Sequence, residues 1–296
     1  MFPTARPPGF AVASPSPLMT SSAGPASRQV SPRRYLMCPP EHFDVTYAIN
    51  PWMDPDRPVD RGLVLDQWQQ LVTTYRQLGH EVAVLPPAPG LPDMVFAANG
   101  GLVVDGRAMG ARFRHHERAA EAEHYLAWFR RYLDPAAVAP VHVLEAEGDV
   151  LQVGEVLLAG YGFRTDRAAH VEVAAWSGRE VVSLELVDPR YYHLDTCLGV
   201  LDEQTLAWLP SAFAPEAQAE LRRRYPDAIE VDADEAALLA INLVSDGRHV
   251  IVPPGATRFR AALEAADFVP IAVDLSELRK AGGGAKCATL ELRSAA

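Results

Sequence analysis

The amino-acid sequence predicts an α/β protein, and two observations support this class. Helical patterns of apolar residues alternate along the chain with short runs rich in β-branched residues, as expected for strand-helix-strand units. Five predicted helices recur at intervals of roughly 40 to 50 residues, which indicates repeated supersecondary units. This spacing does not distinguish a doubly wound sheet from a ring of units.

The predicted elements begin with a strand at Arg34–Cys38, which Pro39 and Pro40 end. Residues 65–78 carry apolar side chains at helical spacing, Gly79 follows as a stop signal, and 81–85 has the pattern of a strand. Further helices are predicted over about 115–133, 167–176, 215–225 and 257–266, and strands after them over 141–144, 181–186, 229–231 and 271–275.

The first 33 residues differ in composition from the rest of the chain. They contain seven prolines among Ser, Ala and Gly and show no sustained apolar periodicity. Such a segment buries too little surface to offset its ordering entropy, so we expect 1–33 to be a disordered extension. Residues 34–296 are expected to form a single catalytic domain.

Composition and net charge favour a protein that acts on a small molecule. The formal net charge of -11 argues against a nucleic-acid surface, and no apolar stretch approaches the ~20 residues of a membrane span. We therefore expect a cytoplasmic protein with a small-molecule substrate, and a homo-oligomer remains an open alternative. The three cysteines lack metal-ligand spacing, so neither a disulfide framework nor a zinc site is expected.

Cys287 is the leading candidate for a nucleophile. It follows the run Gly282-Gly283-Gly284-Ala285-Lys286, and glycines allow a tight loop that points the next side chain into a cavity. The run resembles part of a phosphate loop but lacks its Gly-Lys-Ser/Thr ending. The alternative is that Cys287 is a small buried hydrophobe on the last strand.

His193 and Asp195 are the candidate partners of this thiol. In a strand they point to the same side, where a histidine and a carboxylate suit proton transfer and cation binding. The alternative is a structural hydrogen bond between them. Cys197 has the same parity, but the apolar residues after it favour a core thiol.

Acidic and amide side chains supply the groups that bind a cation. Glu145, Glu147 and Asp149 fall within five positions, and Asp93 and Asn99 flank an apolar run next to glycines. A guanidinium has five N–H donors and requires several fixed oxygens, which such a cluster provides. A solvated acidic turn is the alternative for 145–149.

Arg112 and Arg164 each end a strand-like segment and are candidates to hold a substrate carboxylate, the alternative being surface arginines. His115 and His116 are adjacent, so on a helix they point to different faces and do not indicate a metal site. No motif for a cofactor is present, and we predict neither a metal nor a cofactor.

These residues together resemble the guanidine-modifying enzymes, which include dimethylargininases, arginine deiminases, arginine dihydrolases and amidinotransferases. The resemblance covers about residues 34–293 and rests on landmarks in a shared order. They are Met37-Cys38-Pro39-Pro40, Ile49-Asn50-Pro51-Trp52-Met53, Pro92 through Asn99, Glu145 through Asp149, Gly160 through Arg164, His193-Leu194-Asp195-Thr196, and Gly283 through Cys287. The resemblance implies a five-fold pseudosymmetric α/β propeller, the pentein fold.

The resemblance also implies roles for these residues. Cys287 attacks the guanidinium carbon, and His193 serves as acid and then as base around a covalent S-alkylthiouronium. Glu145 and Asp195 hold the guanidinium, Arg112 and Arg164 bind the amino acid's carboxylate, and Asn50, Asp93 and Asn99 complete the substrate-binding set.

Two departures from the family pattern bear on the substrate. The acidic motif is Glu-Ala-Glu-Gly-Asp, so the conserved carboxylate is Glu145 or Glu147, and the dihydrolase-like alignment favours Glu145. Asn99 stands where deiminases and dimethylargininases usually carry an aspartate, and together with Asn50 it resembles the arginine dihydrolase branch.

We therefore predict a hydrolase that cleaves guanidino carbon-nitrogen bonds of L-arginine or Nω-methylarginine and yields citrulline, ornithine or both. The rival hypotheses are an amidinotransferase with an amine acceptor, a non-catalytic arginine-binding protein, and a metal-dependent arginase-like hydrolase. The clustered Asp and His ligands that the last of these needs are absent from the motifs.

Overall fold

The computed structural model describes residues 28–294 as five small sheets with helices packed beside them. The sheets have the strand orders β14-β1-β2, β3-β4, β5-β6-β7, β8-β9-β10 and β11-β12-β13. The helices are α1 (Arg61–Gln77), α2 (Glu121–Tyr132), α3 (Arg167–Ser177), α4 (Pro215–Arg224), α5 (Ala233–Ala236) and α6 (Thr257–Ala265). The strands are β1 (Arg34–Met37), β2 (Glu81–Val84), β3 (Gly101–Val104), β4 (Arg107–Gly110), β5 (Val150–Val153), β6 (Val156–Tyr161), β7 (Glu180–Glu185), β8 (Leu198–Val200), β9 (Leu206–Trp208), β10 (Ile229–Glu230), β11 (Val244–Ser245), β12 (His249–Val252), β13 (Val269–Ala272) and β14 (Leu290–Glu291).

One pattern, called a unit below, recurs in the five sheets. Each unit consists of an antiparallel pair of strands, a helix, and a third strand parallel to the second. The units are numbered along the chain from the one that contains β1. In the third unit β5 pairs antiparallel with β6, and β7 follows α3 to pair parallel with β6. In the second unit the third strand is reduced to a bridge between Met109 and Val138. The first unit takes its antiparallel strand, β14, from the other end of the chain, with Tyr35 opposite Glu291.

Local sequence signals set the ends of the helices. Asp60 precedes α1 and accepts the N–H groups of Gly62 and Leu63, which satisfies donors that have no partner within the helix. Gly178 ends α3 with φ 73°, a left-handed conformation that glycine adopts without strain. Helix α1 buries Trp68 and Leu71 among other apolar side chains, and burying one such side chain contributes about 1.5 to 3 kcal/mol.

A tight turn precedes the first strand of every antiparallel pair. These turns cover residues 92–100 before β3, 145–149 before β5, 193–197 before β8, 239–243 before β11 and 282–289 before β14. Apart from those on the helices, most of the buried polar side chains lie on these turns. The repeated fold therefore presents one polar turn from each unit.

The structure confirms the α/β class but differs from the predicted elements in four places. The segment that carries His193 and Asp195, expected to be a strand, forms a 3-10 turn over Leu194–Thr196. Residues 141–144 do not form the expected strand, because their only ladder contact is one bridge between Leu144 and Arg112. Helix α2 begins at Glu121 rather than near 115, since His116–Arg118 forms a separate 3-10 turn. Strand β13 lies at Val269–Ala272, slightly before the predicted 271–275.

The predicted disordered extension, 1–33, falls mostly on residues 1–27, which lie outside the described residues. Residues 28–33 are described and contact the folded part, where Arg28 Nε donates to the Ala266 carbonyl at 2.8 Å and the Ser31 N–H donates to the Asp246 carbonyl at 2.9 Å. Between residues 28 and 294, none of the helices has the length and apolar character needed to cross a membrane.

Candidate active site

Cys287 lies in the buried turn before β14, with 2% of its surface exposed. Its Sγ–H donates to Asp195 Oδ2 at 3.2 Å, and Sγ accepts a hydrogen bond from Asn242 Nδ2 at 3.1 Å. The glycines before it are needed for close packing. A Cβ added to Gly283 would lie 2.2 Å from the Phe96 ring, and Gly282 has φ 82°.

The thiol of Cys287 is held in its neutral form. Burial raises its pKa well above the ordinary value, and the carboxylate of Asp195 raises that pKa further. Only a thiolate attacks carbon readily. A cation placed between the sulfur and Asp195 would reverse this effect, so the geometry suits a positively charged substrate.

His193 and Glu145 form a buried pair, with His193 Nε2 and Glu145 Oε2 2.7 Å apart. Burial alone would raise the pKa of Glu145, but Arg164 and then His193 outweigh it and lower that pKa. An ionised Glu145 accepts from Nε2–H, which leaves Nδ1 to exchange protons.

Glu147, the alternative in the acidic motif, points elsewhere. It forms ion pairs with Lys286 at 2.7 Å and with Arg293, and it accepts the Glu291 N–H at 3.0 Å. The structure therefore brings Glu145, and not Glu147, to His193. Glu147 ties its turn to the last strand instead.

Asp149, the third carboxylate of the motif, binds backbone N–H groups and is a positioning residue. It accepts the Leu194 N–H at 3.0 Å and the Thr165 N–H at 3.2 Å. These bonds fix the turn that carries His193. The residue type was visible in the sequence, but its partners are backbone groups far along the chain.

Asp93 and Asn99 meet a buried arginine, Arg118, that sequence reasoning missed. Its guanidinium donates to both oxygens of Glu121, to Asn99 Oδ1 at 2.8 Å and to the Asp93 carbonyl at 3.2 Å. Asn99 also lies beside His193, because a Cβ on Gly148 would come within 2.3 Å of Asn99 Nδ2 and 3.3 Å of His193 Cγ. Arg118 follows no strand-like segment, so no sequence signal distinguished it from a surface arginine.

Three polar atoms of this group are buried without a hydrogen-bond partner in residues 28–294. They are Asp93 Oδ1, Asp195 Oδ1 and Asn99 Nδ2. Leaving a buried polar atom unpaired costs roughly 1 to 3 kcal/mol, so such atoms call for a ligand or water. The site thus presents two acceptors and one donor to whatever occupies it.

The two aspartates respond to burial in the same direction. Burial raises the pKa of Asp93, and Arg118 opposes the rise. Burial also raises the pKa of Asp195 to about 6, and His193 and Lys286 lower it less than burial raises it. A bound cation would favour the ionised form of both groups.

Asn50 and Arg164 hold the 49–53 segment against the site. Asn50 Nδ2 donates to Tyr192 Oη and to the Ala281 carbonyl, both at 3.1 Å. Arg164 donates to Glu145 Oε2 at 3.0 Å and to the Ile49 carbonyl at 2.9 Å, and its guanidinium lies 4.5 Å from the centre of the Tyr192 ring. In this structure both side chains bind protein groups.

The structure does not bring Arg112 to this group. Arg112 is exposed, and its Nε donates to the Pro140 carbonyl at 3.1 Å. Alternation along the extended chain buries Phe113 and turns Arg112 outward. The next arginine contributes through its backbone, because the Arg114 N–H donates to Glu145 Oε1 at 3.1 Å.

His115 and His116 do not take part in a cluster of metal ligands. Within the described part of the chain, no group of three or more His, Cys, Asp and Glu side chains is arranged to hold a metal ion.

Comparison with known proteins identifies a consistent set of relatives. The family model for eukaryotic N,N dimethylarginine dimethylhydrolase matches residues 48–294. The chain is 52% identical over 271 residues to the N(G),N(G)-dimethylarginine dimethylaminohydrolase of Mycobacterium tuberculosis, covering 90% of this chain and 88% of that protein. It is 37% identical over 265 residues to the bifunctional arginine dihydrolase/ornithine cyclodeaminase ArgZ of Synechocystis sp., covering 88% of this chain but only 37% of that protein.

A solved structure of the cyanobacterial relative covers the same region. It is the N-terminal domain of ArgZ, an arginine dihydrolase, as a cysteine-to-serine mutant bound to substrate, with a TM-score of 0.85 and 36% identity over 88% of this chain and 98% of that one. The Pseudomonas aeruginosa dimethylarginine dimethylaminohydrolase, a cysteine-to-serine mutant complexed with citrulline, has a TM-score of 0.76 at 22% identity, covering 88% of this chain and 99% of that one, and supports the fold.

Proposed function

The chain belongs to the dimethylarginine dimethylaminohydrolase family, and we propose that it is a hydrolase of arginine that continues through citrulline to ornithine. Hydrolysis of guanidino carbon-nitrogen bonds, as expected from the sequence, is the activity of the relatives that it matches. The further statement, that the reaction passes beyond citrulline, rests on the geometry around Asn99.

In the first half of the proposed reaction, the guanidinium lies among Asp93, Asp195 and Glu145, and its charge favours the Cys287 thiolate. The sulfur bonds to the central carbon, and His193 protonates a terminal nitrogen, which leaves as ammonia. Water, deprotonated by His193, then attacks the S-alkylthiouronium carbon, the carbon-sulfur bond breaks, and citrulline forms.

In the second half, Cys287 attacks the ureido carbon of citrulline and a second ammonia leaves, which gives a thiocarbamate. Water releases the sulfur and yields a carbamate of ornithine, which separates into ornithine and carbon dioxide. Over both halves, arginine and two waters become ornithine, carbon dioxide and two ammonia molecules.

The orientation of the Asn99 amide carries this proposal. Arg118 donates to Oδ1 at 2.8 Å, which leaves the buried Nδ2 of Asn99 without a partner among the described residues, beside Gly148 and His193. A guanidinium offers only N–H donors, whereas citrulline offers a carbonyl oxygen that accepts. Two unpaired carboxylate acceptors and one amide donor complement the N–H donors and the carbonyl oxygen of the ureido group of citrulline.

Product analysis tests the proposal. With arginine as substrate, we expect mass spectrometry to show ornithine and two equivalents of ammonia, with citrulline appearing and then disappearing. Citrulline supplied alone should also give ornithine. Citrulline as a stable end product would contradict the second half.

The Asn99→Asp variant replaces the donor with a carboxylate, which repels the ureido oxygen and attracts a guanidinium. We expect it to convert arginine to citrulline and to lose about 100-fold or more of its citrulline hydrolysis. The Cys287→Ser variant should lose both reactions, and full turnover by that variant would contradict the covalent route.

Dimethylargininase activity is the second candidate, because the mycobacterial relative at 52% identity carries that name. Nω,Nω-dimethylarginine in the same assay would release dimethylamine if this activity predominates. An amidinotransferase would instead require an amine acceptor, and no relative among those compared favours it.

We also propose that residues 28–294 form one domain, a five-fold pseudosymmetric α/β propeller of the pentein type. The repeated units and the pairing of β14 with β1 support closure of a ring. A cytoplasmic location and a homo-oligomer stay predictions from the sequence.

A further inference from the structure

Asn242 lies in the turn before β11, the one polar turn of the five to which the sequence assigned no role. Its side chain is buried and makes four hydrogen bonds. Nδ2 donates to Cys287 Sγ at 3.1 Å and to the Asp195 carbonyl at 2.9 Å. Oδ1 accepts the N–H groups of Gly284 and Cys287, both at 3.0 Å. A single amide therefore contacts the sulfur, its loop and the Asp195 turn.

We propose that Asn242 is a catalytic residue, which donates a hydrogen bond to the Cys287 sulfur while that sulfur carries negative charge. The charge develops twice in each half reaction, before the sulfur attacks carbon and again when it leaves. The inference rests on the proposed function for its electrophile, but the contact between the amide and the thiol is independent of the substrate.

The bonds of the amide fix its orientation. Oδ1 accepts two backbone N–H groups, and exchanging the amide oxygen and nitrogen would turn N–H donors toward those same donors. Nδ2 must therefore face the sulfur. This donation matters because Asp195, the other side chain bonded to Sγ, is a carboxylate that disfavours a thiolate.

The surroundings of the glycine loop give Asn242 a second task. Phe96 packs against one side of the loop at Gly283. The other side borders a cavity of about 230 Å³, which is lined by Asn242, Gly283 and Gly284 together with apolar side chains such as Leu238. The Asn242 amide therefore holds the part of the glycine loop that borders the cavity.

The backbone of this turn is also strained. Leu239 has φ 57°, a left-handed conformation that is unfavourable for a branched side chain, and its carbonyl accepts the Asn242 N–H at 3.1 Å. Such strain persists where surrounding contacts impose it, and it is concentrated at functional sites. Here the strained residue binds the backbone N–H of Asn242.

Two variants separate donation to the sulfur from support of the loop. Asn242→Ala removes both. Asn242→Asp keeps an oxygen that accepts the Gly284 and Cys287 N–H groups but presents a second oxygen to the sulfur. Leu238→Ala is the matched control, since it lines the same cavity without contacting the thiol.

The measurements are the rate of Cys287 alkylation by iodoacetamide against pH, located by peptide mass mapping, and kcat and KM for arginine. For both Asn242 variants we expect the alkylation profile to move to higher pH by about one unit or more and kcat to fall about 10- to 100-fold, with KM changed less than about threefold. Leu238→Ala should leave the alkylation profile where it is.

Recovery of the wild-type alkylation profile and kcat by Asn242→Asp would show that the residue only supports the loop, and it would overturn the proposal. A fall in kcat with no shift in the alkylation profile would overturn it as well. If Asn242→Ala fails to fold, the Asp variant decides alone. Shifted alkylation in an enzyme that turns over no guanidino substrate would support the contact with the thiol and reject the proposed function.

Discussion

Asp195 combines two properties at the scale of a single residue. Its carboxylate accepts a hydrogen bond from the nucleophilic thiol through one oxygen and leaves the other buried without a partner among the described residues. Burial makes the ionised form unfavourable in the absence of a cation. Asp195 therefore destabilises the folded protein when no cation is bound, and a bound cation would offset this cost.

Because burial disfavours the ionised form of Asp195, the free energy of unfolding should depend on pH. The folded pKa of Asp195 is raised to about 6, so the native state keeps a proton that the unfolded chain has lost above about pH 4. The contribution of Asp195 to the free energy of unfolding is present below pH 4 and is lost as pH rises through 6, by up to ~3 kcal/mol.

The Asp195→Asn variant should lack that decline and be more stable than the wild type at pH 7.5. Its kcat/KM for arginine should be about 100-fold lower, because the amide does not attract a guanidinium. Chemical denaturation across pH 4 to 8 and steady-state kinetics measure both effects. Asp227→Asn, an exposed aspartate away from the site, is the control, and equal pH dependence in the two variants would contradict the prediction.

Sequence patterns identified candidate site residues where those residues lie within a recognisable motif. The structure places Cys287 in contact with Asp195, and Glu145 in contact with His193. Arg118 and Asn242 were missed because their roles depend on partners far along the chain, namely Asn99 for the first and Cys287 for the second. Hydrogen bonds between different turns leave no local pattern.

At the scale of elements, the helices were predicted better than the strands. Helix α1 has a long amphipathic face and an N-terminal Asp60 cap, and both are local signals. Strand β11 is two residues long and depends on its neighbours in the sheet, so periodicity cannot reveal it. The 3-10 turn at His116–Arg118 was merged into α2 because its spacing resembles that of a helix.

The glycine loop before β14 gives a prediction at this scale. A methyl group on Gly283 would lie 2.2 Å from the Phe96 ring, which is itself buried. We expect Gly283→Ala to displace the loop, to lower kcat about 10-fold or more, and to destabilise the fold by about 1 to 3 kcal/mol. Kinetics and thermal unfolding measure the two effects.

Gly62→Ala is the matched control for this substitution. Its added Cβ would meet only Asp60 Oδ1, at 3.5 Å, in the first turn of α1. There alanine should be neutral or stabilising by up to about 1 kcal/mol, since glycine disfavours a helix. In the double variant Gly283→Ala with Phe96→Leu, partial recovery of kcat is expected. No recovery would show that the ring is not the cause.

At the scale of the whole molecule, the last strand connects the two ends of the described chain. Strand β14 pairs with β1; its neighbour Leu292 is buried, and the partly buried Arg293 forms an ion pair with Glu147. These contacts close the first unit and at the same time hold the turn that carries Cys287. The pairing of β14 with β1 in the first unit and the position of the turn that carries Cys287 therefore depend on the same few residues.

Two truncations test this dependence. A chain that ends after Thr289 keeps Cys287 but loses β14 and the Arg293 partner of Glu147, so an acidic group stays buried with Lys286 as its remaining cation. We expect this chain to lack a cooperative unfolding transition, because the buried charge and the open edge of β1 both destabilise it. A chain that begins at Arg28 keeps the contacts of residues 28–33 and should retain kcat/KM within about twofold. Circular dichroism during heating and arginine turnover compare the two, and a cooperative, active chain ending at Thr289 would show that the pairing of β14 with β1 is dispensable for a stable fold.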